Sequence, residues 1–234
     1  MIRKVTGILL LPLFSLAGCA TQGISTVHVT EPSKPAFSYE KTFDRPQGDV
    51  WDKLVKNIAK SFFVINNIDK ESRIINLSYS SNRPQDYVDC GRTKRTFSEG
   101  KTNESYEYGV TDNLVTFKVA PTSQPDLRFI QVGTIIRNTS LDGRANVYVA
   151  PEKAGTVVSV NAKSIVKITT QGEILTTNLL GAVIRRDALP SGISEVTGIT
   201  KGGTENTISD STRFAKILCY STGKLEQDIL DLAN

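Results

Sequence analysis

The sequence predicts an α+β fold: an antiparallel, curved sheet with a long N-terminal helix across it and a C-terminal helix to close it. Three stretches carry that expectation. Val50, Trp51, Leu54, Val55, Ile58, Ala59 and Phe62 form one apolar stripe at helical spacing, while Asp49, Asp52, Lys53, Lys56, Asn57 and Lys60 fall elsewhere on the same helix. Val158, Val160, Ala162, Ser164, Val166 and Ile168 alternate with Ser159, Asn161, Lys163, Lys167 and Thr169, the period-2 pattern of a long antiparallel strand wet on one face. Leu225, Ile229, Leu230 and Leu232 then mark the apolar side of a last helix, with Thr222 placed to cap it.

The chain starts with a different signal. Arg3 and Lys4 precede an apolar run from Val5 to Leu16, which ends in Leu16-Ala17-Gly18-Cys19. Behind a positive start and before small residues, such a run reads as a cleaved export signal; a spanning helix needs about 20 apolar residues. The Leu-Ala-Gly-Cys ending resembles the lipobox of bacterial lipoproteins. That resemblance implies a signal peptide over residues 1–18 and acylation of Cys19 as the new N-terminus. With Ala20 rather than Asp next, it further implies a lipid-anchored protein of the outer membrane, on its periplasmic face. The alternative is a plain secretory signal with a chance cysteine.

Residues 19–36 are rich in Ser, Thr, Gln and Pro without apolar periodicity, and they read as a lipidated flexible tether that holds the only histidine, His28. Such a tether would reach about 55 Å extended and roughly 20 to 25 Å on average. Its rival is a segment that orders on a partner. The rest, residues 37–234, has the length of a single domain. Hydrophobic content of 39% with a mean hydropathy of -0.18 is that of a globular body, and no second run approaches a membrane span. The formal charge of +4 includes Arg3 and Lys4, too little to imply nucleic acid as a partner.

Phe37, Tyr39 and Phe43 suggest a first strand. Pro46 suits the first turn of the helix that follows, and Asp44 with Gln47 resembles a capping box. Trp51 sits inside the apolar stripe and reads as core, with a partner anchor as the alternative. Residues 63–68 and 73–79 are β-rich runs around Asp69-Lys70-Glu71-Ser72, a hairpin. Residues 91–113 carry Arg92, Lys94, Arg95, Glu99, Glu104 and Glu107; the mixed signs suggest a mobile, solvated loop rather than a phosphate site. Val115, Phe117 and Val119 alternate as a strand, residues 127–137 are apolar on both faces, and Asp142-Gly143 marks a two-residue hairpin turn before Ala145, Val147 and Val149. The strand from about Val158, at roughly 15 residues, requires strong twist or curvature. Residues 173–180 suit a strand or a short helix. Residues 181–211, rich in Gly, Ser and Thr with Arg185-Arg186 and Gly202-Gly203, read as a second mobile loop.

Of three cysteines, Cys19 is assigned to lipid, which leaves Cys90 and Cys219 as an even pair in an oxidising compartment. A disulfide between them would stabilise the fold by on the order of 4 to 5 kcal/mol in the chain-entropy model. Two buried free thiols, or a reactive Cys90, are the alternatives.

The order of strand, helix, antiparallel strands and terminal helix, with Pro46, Val50-Trp51 and Leu54 inside residues 43–79 and the lipobox ahead, resembles the helix-grip lipoproteins typified by the outer-membrane assembly lipoprotein NlpB. The chain departs from that pattern in having one helix-grip-like unit instead of two, in the Cys90 and Cys219 pair, and in residues 181–211.

Two functional classes compete. The first is a membrane-anchored, non-enzymatic protein-binding or accessory subunit of an envelope complex, with an envelope protein as partner and the stretches 91–113 and 181–211 as its contact loops. The second is a carrier of an apolar ligand in a cavity between helix and sheet. An enzyme is not expected: no Ser-His-Asp set, metal-ligand cluster or phosphate loop is present, and Glu104 with Glu107 reads as solvated charge, so no catalytic residue, metal ligand or cofactor is assigned. A filled space between helix and sheet favours the first class; an apolar cavity of several hundred Å³ favours the second.

Overall fold

The computed structural model describes residues 23–121, 128–209 and 214–234. The expected signal residues 1–18 and lipid-bearing Cys19 lie outside the described residues.

In chain order the elements are β1 (Ile24–Thr30), β2 (Glu40–Phe43), α1 (Gln47–Ile58), β3 (Val64–Asp69), β4 (Ile74–Ser81), β5 (Val88–Asp89), β6 (Arg92–Glu99) and β7 (Thr102–Gly109). They continue with β8 (Leu114–Val119), β9 (Phe129–Glu152), β10 (Gly155–Asn178), β11 (Val183–Ile199), β12 (Thr204–Ser209), β13 (Phe214–Ser221) and α2 (Lys224–Asp231). The expected α+β class with a long N-terminal helix is overturned. The chain is mostly β, arranged in several antiparallel sheets, with two short α-helices of 12 and 8 residues among the described residues. Helix α1 stops at Ile58 because the next turn tightens: Lys60 N–H donates to Asn57 O and Ser61 N–H to Ile58 O. Ala59 and Phe62, expected on the stripe, are exposed. The expected capping box of α1 does not form, whereas Thr222 Oγ1 accepts from the first N–H of α2, that of Lys224, at 3.3 Å. Pro46 is the N-cap of α1, and Gln47 donates to Val149 O; Gly223, in the left-handed conformation, is the N-cap of α2.

The spine is a hairpin of β9 and β10, each 24 residues long and paired from Gly155 opposite Glu152 to Asn178 opposite Phe129. The main sheet runs β11-β10-β9-β4-β3, with β2 also on β10 and β8 also on β9. Asp142-Gly143 therefore lies inside β9 and is no turn; the hairpin turns at Lys153-Ala154. One half of the spine carries both helices. Val50, Trp51, Leu54 and Ile58 of α1, with Leu225, Ile229 and Leu230 of α2, pack on Val147, Val149, Val158 and Val160 in one continuous core.

The other half carries the sheet β1-β6-β7. Three expectations change here. The tether over residues 19–36 is a strand from Ile24 to Thr30, paired along its length with β6; its Thr and Val residues are β-formers, which their polar surroundings conceal in the sequence. The expected loop 91–113 is largely the hairpin β6–β7. Its alternating charges pair across the strands, as in Arg92 with Glu107 at 3.2 Å, while Thr93, Arg95 and Phe97 face inward. The expected mobile loop 181–211 supplies β11 and β12, and Pro190 falls in the register shift between the Thr170–Gly192 and Gly172–Leu189 pairs, where no strand N–H is required.

The two layers of this half are joined by a stack of cations and rings. The Arg95 guanidinium lies 4.2 Å over Phe117, Phe117 stacks on Tyr108 at 5.7 Å, and Arg137 lies 4.9 Å over the Tyr108 ring. Both arginines are buried, and Arg137 donates to the backbone oxygens of Gly109 and Val110. Buried cations over aromatic faces contribute about 2 kcal/mol each. Cys90 and Cys219 form the disulfide, with Cα atoms 4.0 Å apart and a sequence separation of 129, so it ties the approach to β6 to β13. Among the described residues no helix is long and apolar enough to cross a membrane.

Candidate functional site

The space between the helices and the sheet is filled. Trp51 is 4% exposed, and Val50, Leu54, Ile58, Val147, Val149 and Val158 are fully covered. Small Val and Ala side chains on β9 and β10 let α1 sit close, and Trp51 takes up the remaining volume.

Openings lie on the outer surface. One is a groove of about 670 Å³ along β10. Strand alternation builds its floor: the residues of β4, β9 and β10 that turn away from the core, among them Ile74, Asn76, Asn146, Tyr148, Asn161 and Lys163, present a mixed apolar and amide surface. One wall is Tyr39, just before β2; the other is the turn at Thr200-Lys201-Gly202. Lys201 Nζ lies 4.4 Å over the Tyr39 ring and 5.3 Å over Phe37, so the two walls touch through a cation and two rings. Ile74 and Tyr148 remain 36% and 43% exposed, apolar area that nothing within the described residues covers.

Glu226 of α2 closes the groove from below. It is buried, and Ser221 Oγ donates to its Oε2 at 3.0 Å. Burial pushes its carboxyl above the usual range, an effect that the Ser221 hydrogen bond and the positive charge of Lys201 partly offset. The groove can therefore offer amide donors and acceptors, an aromatic wall at Tyr39, an aromatic floor at Tyr148 and two cations, Lys163 and Lys201.

The structure places the expected site residues in separate locations. Cys90 and Cys219 meet in the disulfide. His28 is exposed on β1. Glu104 accepts hydrogen bonds from Lys118 Nζ and the Tyr106 hydroxyl, and those two bonds hold its carboxyl below the usual range, so it is a cross-strand ion-pair residue of β7. Glu107 pairs with Arg92. Among the described residues no three His, Cys, Asp or Glu side chains gather as a metal site. The groove lies beyond what the sequence pattern reveals; the alternation of β10 puts Asn161 and Lys163 on a wet face, but only the return of residues 200–202 beside Tyr39 makes that face concave. Compared with family models, curated proteins and solved structures, the chain matches none.

Proposed function

We propose that this chain is a lipid-anchored protein of the outer membrane's periplasmic face that acts as a non-enzymatic, protein-binding accessory subunit of an envelope complex. Its anchor is the lipid on Cys19, and its contact surface is the groove walled by Tyr39 and residues 200–202 and floored by Tyr148. The observation that carries this reading over the carrier is the filled space under α1: with Trp51 and its neighbours packed against β9 and β10, an apolar ligand has no room between helix and sheet. The groove suits an extended segment of a partner protein. Tyr39 on the wall and Tyr148 on the floor supply area at low entropic cost, and Asn76, Asn146 and Asn161 offer adaptable hydrogen bonds.

A photo-crosslinking residue in place of Tyr148 tests the reading in intact cells. The expected product is one reproducible envelope protein, captured from position 148 but not from position 68 on β3. Purification with a stoichiometric apolar ligand, and no protein adduct at 148, would replace it with the carrier. The anchor is tested separately: Cys19→Ser is expected to leave an unprocessed, unacylated precursor.

A further inference from the structure

The turn between β10 and β11 exposes an unusual amount of apolar surface. Leu179 is 64% exposed, Leu180 94%, Val183 49% and Ile184 51%. Four of the N–H groups in the same turn are bonded within it. Asn178 Oδ1 accepts from the N–H groups of Leu180 and Ala182, Asn178 O accepts from Gly181 N–H, and Asn178 N–H donates to Ala182 O. A tip with apolar side chains outside and the N–H groups of Leu180, Gly181 and Ala182 bonded within the turn leaves fewer backbone groups to desolvate on entering the bilayer's interfacial layer, where each unsatisfied group is costly.

The chain's start lies at the same end. Gly23 abuts Ala120, where an added Cβ would meet the Ala120 Cβ at 3.1 Å. The neighbouring Val119 is paired with Gly133, and Gly133 with Ile174. From Ile174 the hairpin runs on to Leu179, about 17 Å at strand rise. Cys19 stands four residues before Gly23, a reach of at most about 14 Å. An acyl chain on Cys19 and the side chains of Leu179 and Leu180 can therefore meet one plane. Because residues 24–30 are a strand and no tether, that plane lies against the body.

We propose that the tip of the β10–β11 hairpin inserts into the surface of the lipid bilayer and, with the acylated Cys19, holds the body in one orientation; this rests on the membrane-anchored reading above. The contact is apolar rather than electrostatic. The nearest charges compensate one another, Arg185 with Asp187 at 2.8 Å and Arg186 with Glu173 at 3.5 Å, so zwitterionic lipid suffices and added salt has little effect. The lipid on Cys19 supplies the hold, and the tip adds a second contact that fixes the body's orientation.

Tryptophan quenching tests the proposal on the full mature chain, because the only native tryptophan, Trp51, is buried in the core and serves as a silent background. Leu180→Trp protein is bound to phosphatidylcholine vesicles whose acyl chains carry bromine. The expected result is a blue shift and loss of the emission from the introduced indole on vesicle binding, with no quenching in the wild type or in Ile68→Trp. Vesicle-bound protein with unquenched emission from position 180 would overturn the proposal. A blue shift at 180 without vesicles would overturn it too, since the tip would then be covered by a second copy or another protein. Failure of the anchor reads differently: Cys19 is then found unacylated by mass spectrometry, while the quenching of protein added to vesicles still reports on the tip.

Discussion

Tyr79 covers Gly143, the residue paired with it across β4 and β9, so closely that a Cβ on Gly143 would stand 2.4 Å from the Tyr79 ring. Past Gly143, the Tyr79 hydroxyl meets Ser164 Oγ on β10 at 2.6 Å, and one side chain thus spans three strands. Burial pushes the Tyr79 phenol up to about 12, so it stays protonated and hydrogen-bonded at any physiological pH. Gly143→Ala is expected to displace the ring and break that bond, at about 1 to 3 kcal/mol, measured as a shift in the urea midpoint. In a Tyr79→Ala background the same substitution should cost much less, and strict additivity of the two changes would refute the relationship.

That glycine also shows what the sequence could and could not tell. Asp-Gly between alternating strands is the strongest local hairpin signal, yet here the glycine serves a neighbour's ring, and that neighbour is 64 positions away in the chain (143 minus 79). The wet-face alternation of residues 158–169 and the pairing of Cys90 with Cys219 are legible because each follows from a local period or a simple count. The strands in residues 24–30, 91–113 and 181–211 are hidden for a common reason: their Thr, Ser, Arg and Glu side chains satisfy one another across strands, so polarity mimics a loop until the register is known. The groove is invisible in the sequence because a concave surface arises from tertiary approach, here Lys201 to Tyr39.

The disulfide makes a second prediction. Cys90 and Cys219 are each at most 1% exposed, so a thiol reductant reaches the bond only when the fold opens. Native protein should retain it in dithiothreitol, as read by mass after alkylation, and lose it in denaturant. The double variant Cys90→Ser with Cys219→Ser should be less stable by about 2 to 5 kcal/mol. Rapid reduction under native conditions would mean that β13 and the approach to β6 separate readily.

Trp51 gives the third. It fills the space beneath α1, and Trp51→Ala should cost about 3 to 5 kcal/mol, seen as an earlier unfolding midpoint. Capture of the envelope partner through position 148 should survive wherever the variant remains folded, because Trp51 lies on the other side of the sheet from the groove. Loss of capture with unchanged melting would assign Trp51 to the interface instead.

Glu226 supplies the last, through its raised carboxyl. In the unfolded chain the group ionises near its ordinary value of 4.5, whereas in the fold burial holds the proton to higher pH. Between those two values the unfolded state has already released a proton that the folded state keeps, so stability falls as pH rises across that interval. The contribution of this group is complete below 4.5 and is lost as pH rises through the folded value. Glu226→Gln preserves an acceptor for Ser221 Oγ and removes the charge. It should therefore melt with the wild type at about pH 4 and above it at about pH 7, the gap opening from the unfolded value upward. Lys201→Met should widen the gap, since its positive charge is what eases ionisation of the buried carboxyl. Thermal melts of the two variants across that range decide the matter: a Gln variant less stable than the wild type at neutral pH would show that the ionised carboxylate is the form the fold prefers.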